Sequence, residues 1–143
     1  MELAYPATLS NLENGDVMVR FADVPEAITC GENREEALRM AQDALTVALS
    51  SYIDGQLGIP KPSKPKRGQP VVELSPLTAL KIEIYQTMKG KGVSTAAMAR
   101  RMGRDRSYIK RLLDLSHHSR MDQVEAALLA VGKKLVIETI DFV

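Results

Sequence analysis

The run Ser94 to Leu113, STAAMARRMGRDRSYIKRLL, constrains the fold more than any other stretch of the chain. Ser94 is placed to cap one short helix and Asp105 to cap a second, because their side-chain oxygens can accept from free amides in a first helical turn. Met98, Ala99 and Met102 recur at helical spacing, as do Ile109, Leu112 and Leu113. Gly103 falls between the two sets, where the chain must leave helical geometry. The pattern predicts two helices around a tight turn, a helix-turn-helix. The other face of the second helix carries Arg106, Ser107, Tyr108, Lys110 and Arg111, with Arg100, Arg101 and Arg104 just before it. Such a helix can lay Arg, Lys and Ser against base edges in a major groove, while neighbouring arginines reach phosphates. The same pattern also serves as a plain packing unit with a solvated basic face. Caps, glycine and inward apolar positions coincide here with outward cations, and that favours DNA.

Net charge sharpens this reading. The chain of 143 residues has a formal charge of +1, which hides a division. Residues 1–60 hold three basic and ten acidic side chains, a net of −7. Residues 61–143 hold sixteen basic and eight acidic side chains, a net of +8. Two domains with different partners are expected, the second suited to a polyanion. One cysteine, Cys30, leaves no internal disulfide framework and suits a reducing compartment. Its place in an expected strand makes it a small apolar filler rather than a nucleophile. With no signal segment or membrane-length apolar run read, the expected location is the cytoplasm.

Before residue 60 the period is first two and then 3.6. Leu3, Tyr5, Ala7 and Leu9 alternate with Ala4, Pro6, Thr8 and Ser10, which predicts a strand, with Pro6 at an edge or an end. Asn14-Gly15 marks a hairpin turn, and Val17, Val19 and Phe21 mark a second strand. Ala27 to Cys30 makes a short third strand. A helix should start at Asn33, with Glu36 as reciprocal cap partner, and end near Asp54-Gly55. Its inward positions are Ala37, Leu38, Ala41, Leu45, Ala48, Leu49 and Tyr52.

Residues 58–70, GIPKPSKPKRGQP, read as a semi-rigid linker or exposed loop. Its Lys61, Lys64, Lys66 and Arg67 either touch phosphates or keep a loop soluble. Val71, Val72 and Leu74 predict a brief strand returning to the first sheet, which puts the domain boundary after Leu74. Ser75-Pro76 opens a helix whose stripe is Leu77, Leu80, Ile84 and Met88, with Ile82 and Tyr85 off it and available to a second copy. A last helix is expected from Ser119, with Met121, Val124, Leu128 and Val131 inward and Gly132 as its stop. In the tail, Val136, Ile140 and Phe142 alternate with Leu135, Ile137 and Thr139, which predicts a strand. A lone strand in a helical domain leaves backbone groups unpaired. The simplest remedy is the same strand of a second subunit across a two-fold axis, so a homodimer through Val136, Ile137, Ile140 and Phe142 is expected. Further pairing into tetramers through the N-terminal domains stays open.

The run Asp23 to Leu45, DVPEAITCGENREEALRMAQDAL, with the hairpin before it, resembles the HicB family of antitoxins. The C-terminal half resembles the subgroup that carries a helix-turn-helix. The resemblance spans nearly the whole chain and implies an α+β protein. Residues 1–74 would form a partial ribonuclease H-like domain, β-β-β-α-β. Residues 75–143 would form an all-helical DNA-binding and dimerisation domain with a terminal strand. It implies an antitoxin that neutralises a small basic mRNA-cleaving toxin, HicA, and represses its own operon at operator DNA. An acidic domain suits such a partner electrostatically. The candidate toxin contacts are Asp23, Glu26, Glu32, Glu35 and Asp43; a merely solvated acidic face is the alternative. The candidate DNA contacts are Arg101, Arg104, Arg106, Ser107, Tyr108, Lys110 and Arg111.

Enzymatic ribonucleases H gather several carboxylates around metal, and Asp16, Asp23 and Asp43 show no spacing that forces convergence. No catalytic residue, metal or cofactor is expected, and the protein is read as a binder rather than an enzyme. His117 and His118 lack a third His or a nearby Cys, so a loop pair near phosphate fits better than zinc. A one-component regulator with a ligand-sensing N-terminal domain is the competing reading.

Overall fold

The computed structural model describes residues 3–142. The first extended run is split. Strand β1 (Ala4–Pro6) pairs antiparallel with β5 (Val71–Glu73), Tyr5 lying opposite Val72. Strand β2 (Thr8–Asn11) pairs instead with β3 (Val17–Arg20), which pairs in turn with β4 (Ile28–Gly31). One expected strand therefore serves two sheets, β1-β5 and β2-β3-β4, and changes partner at Ala7, whose amide still donates to Pro70 O at 2.9 Å. Pro6, with no amide hydrogen to give, ends β1. Gly15, at φ +90°, turns the β2-β3 hairpin.

Helix α1 (Arg34–Asp54) starts where Asn33 accepts from the Glu36 amide at 2.8 Å. It buries Ala37, Ala41, Leu45, Ala48 and Leu49. Small residues let it sit close to the sheet. A Cβ on Gly31 would run into the backbone of Glu36 and Ala37, so only glycine fits where β4 passes into the helix. Cys30 is exposed on β4, which corrects the expectation of an apolar filler. Gly31 faces inward and its neighbour Cys30 therefore faces out, because strand side chains alternate.

Residues 58–70 do not swing free. Tyr5 donates its hydroxyl to Pro60 O at 2.6 Å, and burial pushes that phenol up to about 12. Asp23 accepts from the Ser63 amide and hydroxyl at 2.9 and 3.0 Å, and Gln69 donates to Thr8 at 3.0 Å. The segment is a strap over the sheet.

Helix α2 (Pro76–Lys91) is capped by Ser75 and stopped by Gly92 in the left-handed region. It serves two cores. Ile84 and Met88 join α3 (Thr95–Met102), α4 (Arg106–Leu113) and α5 (Met121–Ala130) around Met98, Ile109, Leu112, Val124 and Leu128. Ile82 and Tyr85 are buried with Tyr5, Phe21 and Leu49 in the core of the N-terminal half. That corrects their assignment to a second copy: the same chain already covers them. Tyr85 donates to Leu57 O at 2.6 Å, beyond the end of α1. Leu115, just after α4, also reaches the first core.

The cap of α5 is Arg120, one residue later than expected, and Ser119 is buried before it. Met121 is exposed rather than inward, because the helix buries the 124, 127 and 128 side. The tail is held by the Lys133–Glu83 ion pair at 3.4 Å. Beyond it, residues 136–142 form no strand within the chain, and Val136, Ile137, Ile140 and Phe142 are all exposed, Phe142 fully. A strand exists only as one side of a ladder, and among the described residues no segment pairs with this one.

Candidate functional site

The α3–α4 unit is built as its sequence demands. Ser94 Oγ accepts from the Ala97 amide at 3.1 Å, and Asp105 Oδ1 accepts from the Tyr108 amide at 2.9 Å. Gly103 lies at φ +64°, and the next amide, that of Arg104, donates to Ala99 O at 2.9 Å, closing the end of α3. With Ile109 and Leu112 buried, Arg106, Ser107, Lys110 and Arg111 are left on one exposed surface. Tyr108 is half-buried, and the Arg104 guanidinium stands 4.8 Å from its ring centroid, a cation–π pair that holds both at the head of α4. Arg101 is exposed, and its Nη1 donates to Ala130 O at 3.1 Å, at the end of α5. The seven candidate DNA contacts thus lie on α4, on the end of α3 (Arg101) and in the turn between the two helices (Arg104).

The residue that the sequence reading passed over is Lys81. Its side chain is fully buried, and Nζ donates to Arg111 O, Asp114 O and His117 O at 2.9, 2.7 and 2.6 Å. Three N–H groups meet three carbonyls, two of them from the end of α4 and its cap. Helix C-termini leave such oxygens unpaired, and a cation there also meets the negative end of the helix dipole. Burial pulls the ammonium down to about 8, against the opposing pull of Asp114. Asp114 itself lies below the usual carboxylate range, chiefly because Ser116 donates to it from hydroxyl and amide at 2.6 and 2.9 Å. A signal was present: Leu77, Lys81, Ile84 and Met88 share one helical stripe, and a lysine in such a stripe needs acceptors.

His117 and His118 are exposed in the α4–α5 connection. Among the described residues, no three His, Cys, Asp or Glu side chains gather as a metal site. Asp16 sits in the hairpin turn, Asp23 is taken up by Ser63, and Asp43 lies on the outer side of α1.

The acidic candidates do not form a single cluster. Glu32 and Glu35 stand at the start of α1, where the helix dipole favours acids for structural reasons alone. Asp23 belongs to the strap. Glu26 accepts from the Tyr52 hydroxyl at 2.7 and 3.0 Å, and that bond holds the phenol of Tyr52 above its ordinary range. Of the five, Glu26 and Asp43 line one open groove of about 440 Å³ beside α1.

Residues 4–83, the sheets, α1, the strap and the first part of α2, match the family described as HicB_like antitoxin of bacterial toxin-antitoxin system. The chain belongs to this antitoxin family. Its relatives continue the match through α3–α5. Antitoxin HicB 2 of Photorhabdus laumondii is 39% identical over 138 residues, covering 96% of this chain and 97% of that protein. Antitoxin HicB of Pseudomonas fluorescens is 38% identical over 126 residues, 87% and 86% of the two chains. Antitoxin HicB of Escherichia coli K12 is 35% identical over 133 residues, 93% and 96% of the two. An antitoxin has a toxin as partner. Among the described residues, no helix is long and apolar enough to cross a membrane.

Proposed function

We propose that this antitoxin neutralises a HicA-type mRNA-cleaving toxin with its N-terminal half and represses its own operon by binding operator DNA through α3 and α4. It works by binding, without catalysis, in the cytoplasm. The sheet–helix half, in this reading, is the partial ribonuclease H-like fold of the family, and α3–α4 is its helix-turn-helix. The observation that carries the DNA part is the exposed surface of Arg106, Ser107, Lys110 and Arg111 on a helix whose buried side and both ends are fixed. A rigid cationic helix of this kind enters a major groove without first having to be ordered. The −7 charge of residues 1–60 supports the toxin part, since it attracts a basic, RNA-binding protein.

Two copies would join through Val136, Ile137, Ile140 and Phe142, exposed apolar side chains on a segment that has no partner strand among the described residues. Paired α4 helices then read half-sites about 34 Å apart on one face of the duplex. The test is co-expression with the small reading frame beside this gene, followed by purification of the complex and assays of mRNA cleavage and operator binding. A complex that silences cleavage and shifts operator DNA is the expected result. Cleavage that continues in the presence of this chain overturns the toxin part, and absence of any shift overturns the DNA part.

A further inference from the structure

The outer side of α1 carries Met40, Ala44 and Val47 in one helical stripe, with Val47 71% and Met40 42% exposed. Single exposed apolar residues are ordinary on a protein surface. These two line the same groove, with Thr29 of β4 on its far wall. Strand β4 is the last of its sheet, so its outer edge meets no further strand among the described residues. Free strand edges are places where another chain can add itself. The groove is therefore apolar along its floor, open along one side, and acidic at Glu26 and Asp43. Glu26 is held in place by Tyr52 and so is presented as a fixed carboxylate.

We infer that this α1–β4 groove is the docking surface for the toxin, which enters it with an apolar side chain flanked by Lys or Arg. The inference rests on the antitoxin reading above and narrows it to one surface. Charge selects the occupant. A second copy of the same half would bring −7 against −7, whereas a basic protein meets both the carboxylates and the surrounding field. Val47 supplies contact area, and Glu26 and Asp43 set the orientation. The acids at Glu32, Glu35 and Asp23 lie outside the groove and contribute to attraction over distance only.

The test uses the full chain and the toxin encoded beside it, with binding followed by calorimetry at two salt concentrations. Val47→Arg combined with Asp43→Lys is expected to weaken binding at least tenfold. Both sites are exposed, so circular dichroism and operator binding should stay as in the wild type. A photo-crosslinking amino acid at position 47 should label the toxin, which covers the case in which the double variant folds poorly. Wild-type affinity in the double variant, or no label at position 47 while the complex is intact, overturns the inference. A fall in oligomer mass with toxin affinity unchanged also overturns it and assigns the groove to a second copy. Failure of the wild-type chain itself to bind the toxin would instead sink the antitoxin reading on which the groove depends.

Discussion

The Lys81 ammonium donates to the Asp114 carbonyl across 2.7 Å, joining the middle of α2 to the cap of α4. The same nitrogen holds Arg111 O and His117 O. Replacing Lys81 by Met keeps much of the volume and strands three carbonyls. Buried unsatisfied polar groups cost about 1–3 kcal/mol each, and nearby water relieves some of that, so a loss of about 3 kcal/mol in stability is expected. Operator affinity should fall as well, although Lys81 is buried and cannot touch DNA. Urea denaturation and a gel shift of Lys81→Met check both.

The pH dependence of that lysine has an unusual sign. Its value in the folded chain, about 8, is below the ordinary 10.5. Between those values the unfolded chain holds a proton that the folded chain has released. Stability from this group therefore rises with pH across the window, with a slope of at most about 1.4 kcal/mol per pH unit. A lysine in a surface ion pair has the opposite sign. Denaturation midpoints at pH 7, 8 and 9 should show a rising component that Lys81→Met abolishes.

Arg106→Ala and Arg111→Ala should each cost about 1–3 kcal/mol in operator binding and relax specificity, as expected for arginines that read bases. Arg101→Ala should weaken binding evenly across sequences and lower the salt slope by about one. Salt titrations of the three variants against operator and random duplex decide between these roles. Three variants that bind operator like the wild type would remove α4 from the interface.

Gly31→Ala should destabilise the N-terminal half by about 1–3 kcal/mol, a typical cost of forcing atoms into a packed site. The added methyl meets the backbone of Ala37, and backbone cannot swing aside as a side chain can. Thermal unfolding measures the effect. No loss of stability would mean that α1 sits farther from β4 than described.

Deleting residues 136–143 should leave the fold of each subunit intact, because Val136, Ile137, Ile140 and Phe142 are exposed in the single chain. Sedimentation should then give the mass of a single shortened chain, below the 15.7 kDa of the full-length one, with much weaker operator binding. A dimer that persists would place the interface elsewhere.

Local chemistry was legible in the sequence. Asn33, Ser75, Ser94 and Asp105 each cap the helix expected of them, since a cap involves only the next few residues. The return of Val71–Glu73 to the first strand was also visible as a brief apolar run. What depends on residues far apart in the chain was not. Tyr85 meets Leu57, Ile82 meets the N-terminal core, and Lys81 meets carbonyls thirty or more positions away. Periodicity shows which side of α2 is apolar, yet α2 is buried on two sides against different cores, so its pattern read as one stripe with misfits. In the candidate toxin surface, charge suggested five acids, and only the packing of α1 beside β4 shows that Glu26 and Asp43 share a groove.

Because Ile82 and Tyr85 belong to one core while Ile84 and Met88 belong to the other, the two halves are not interchangeable cassettes. A cut after Leu74 would strip the first core of Ile82, Tyr85 and Leu115 and leave the second piece with those side chains bare. Chimeras that trade the N-terminal half between relatives should therefore fold only when α2 and the segment around Leu115 travel with it. A lesion that melts either half should therefore unsettle the other through the side chains of α2 that they share.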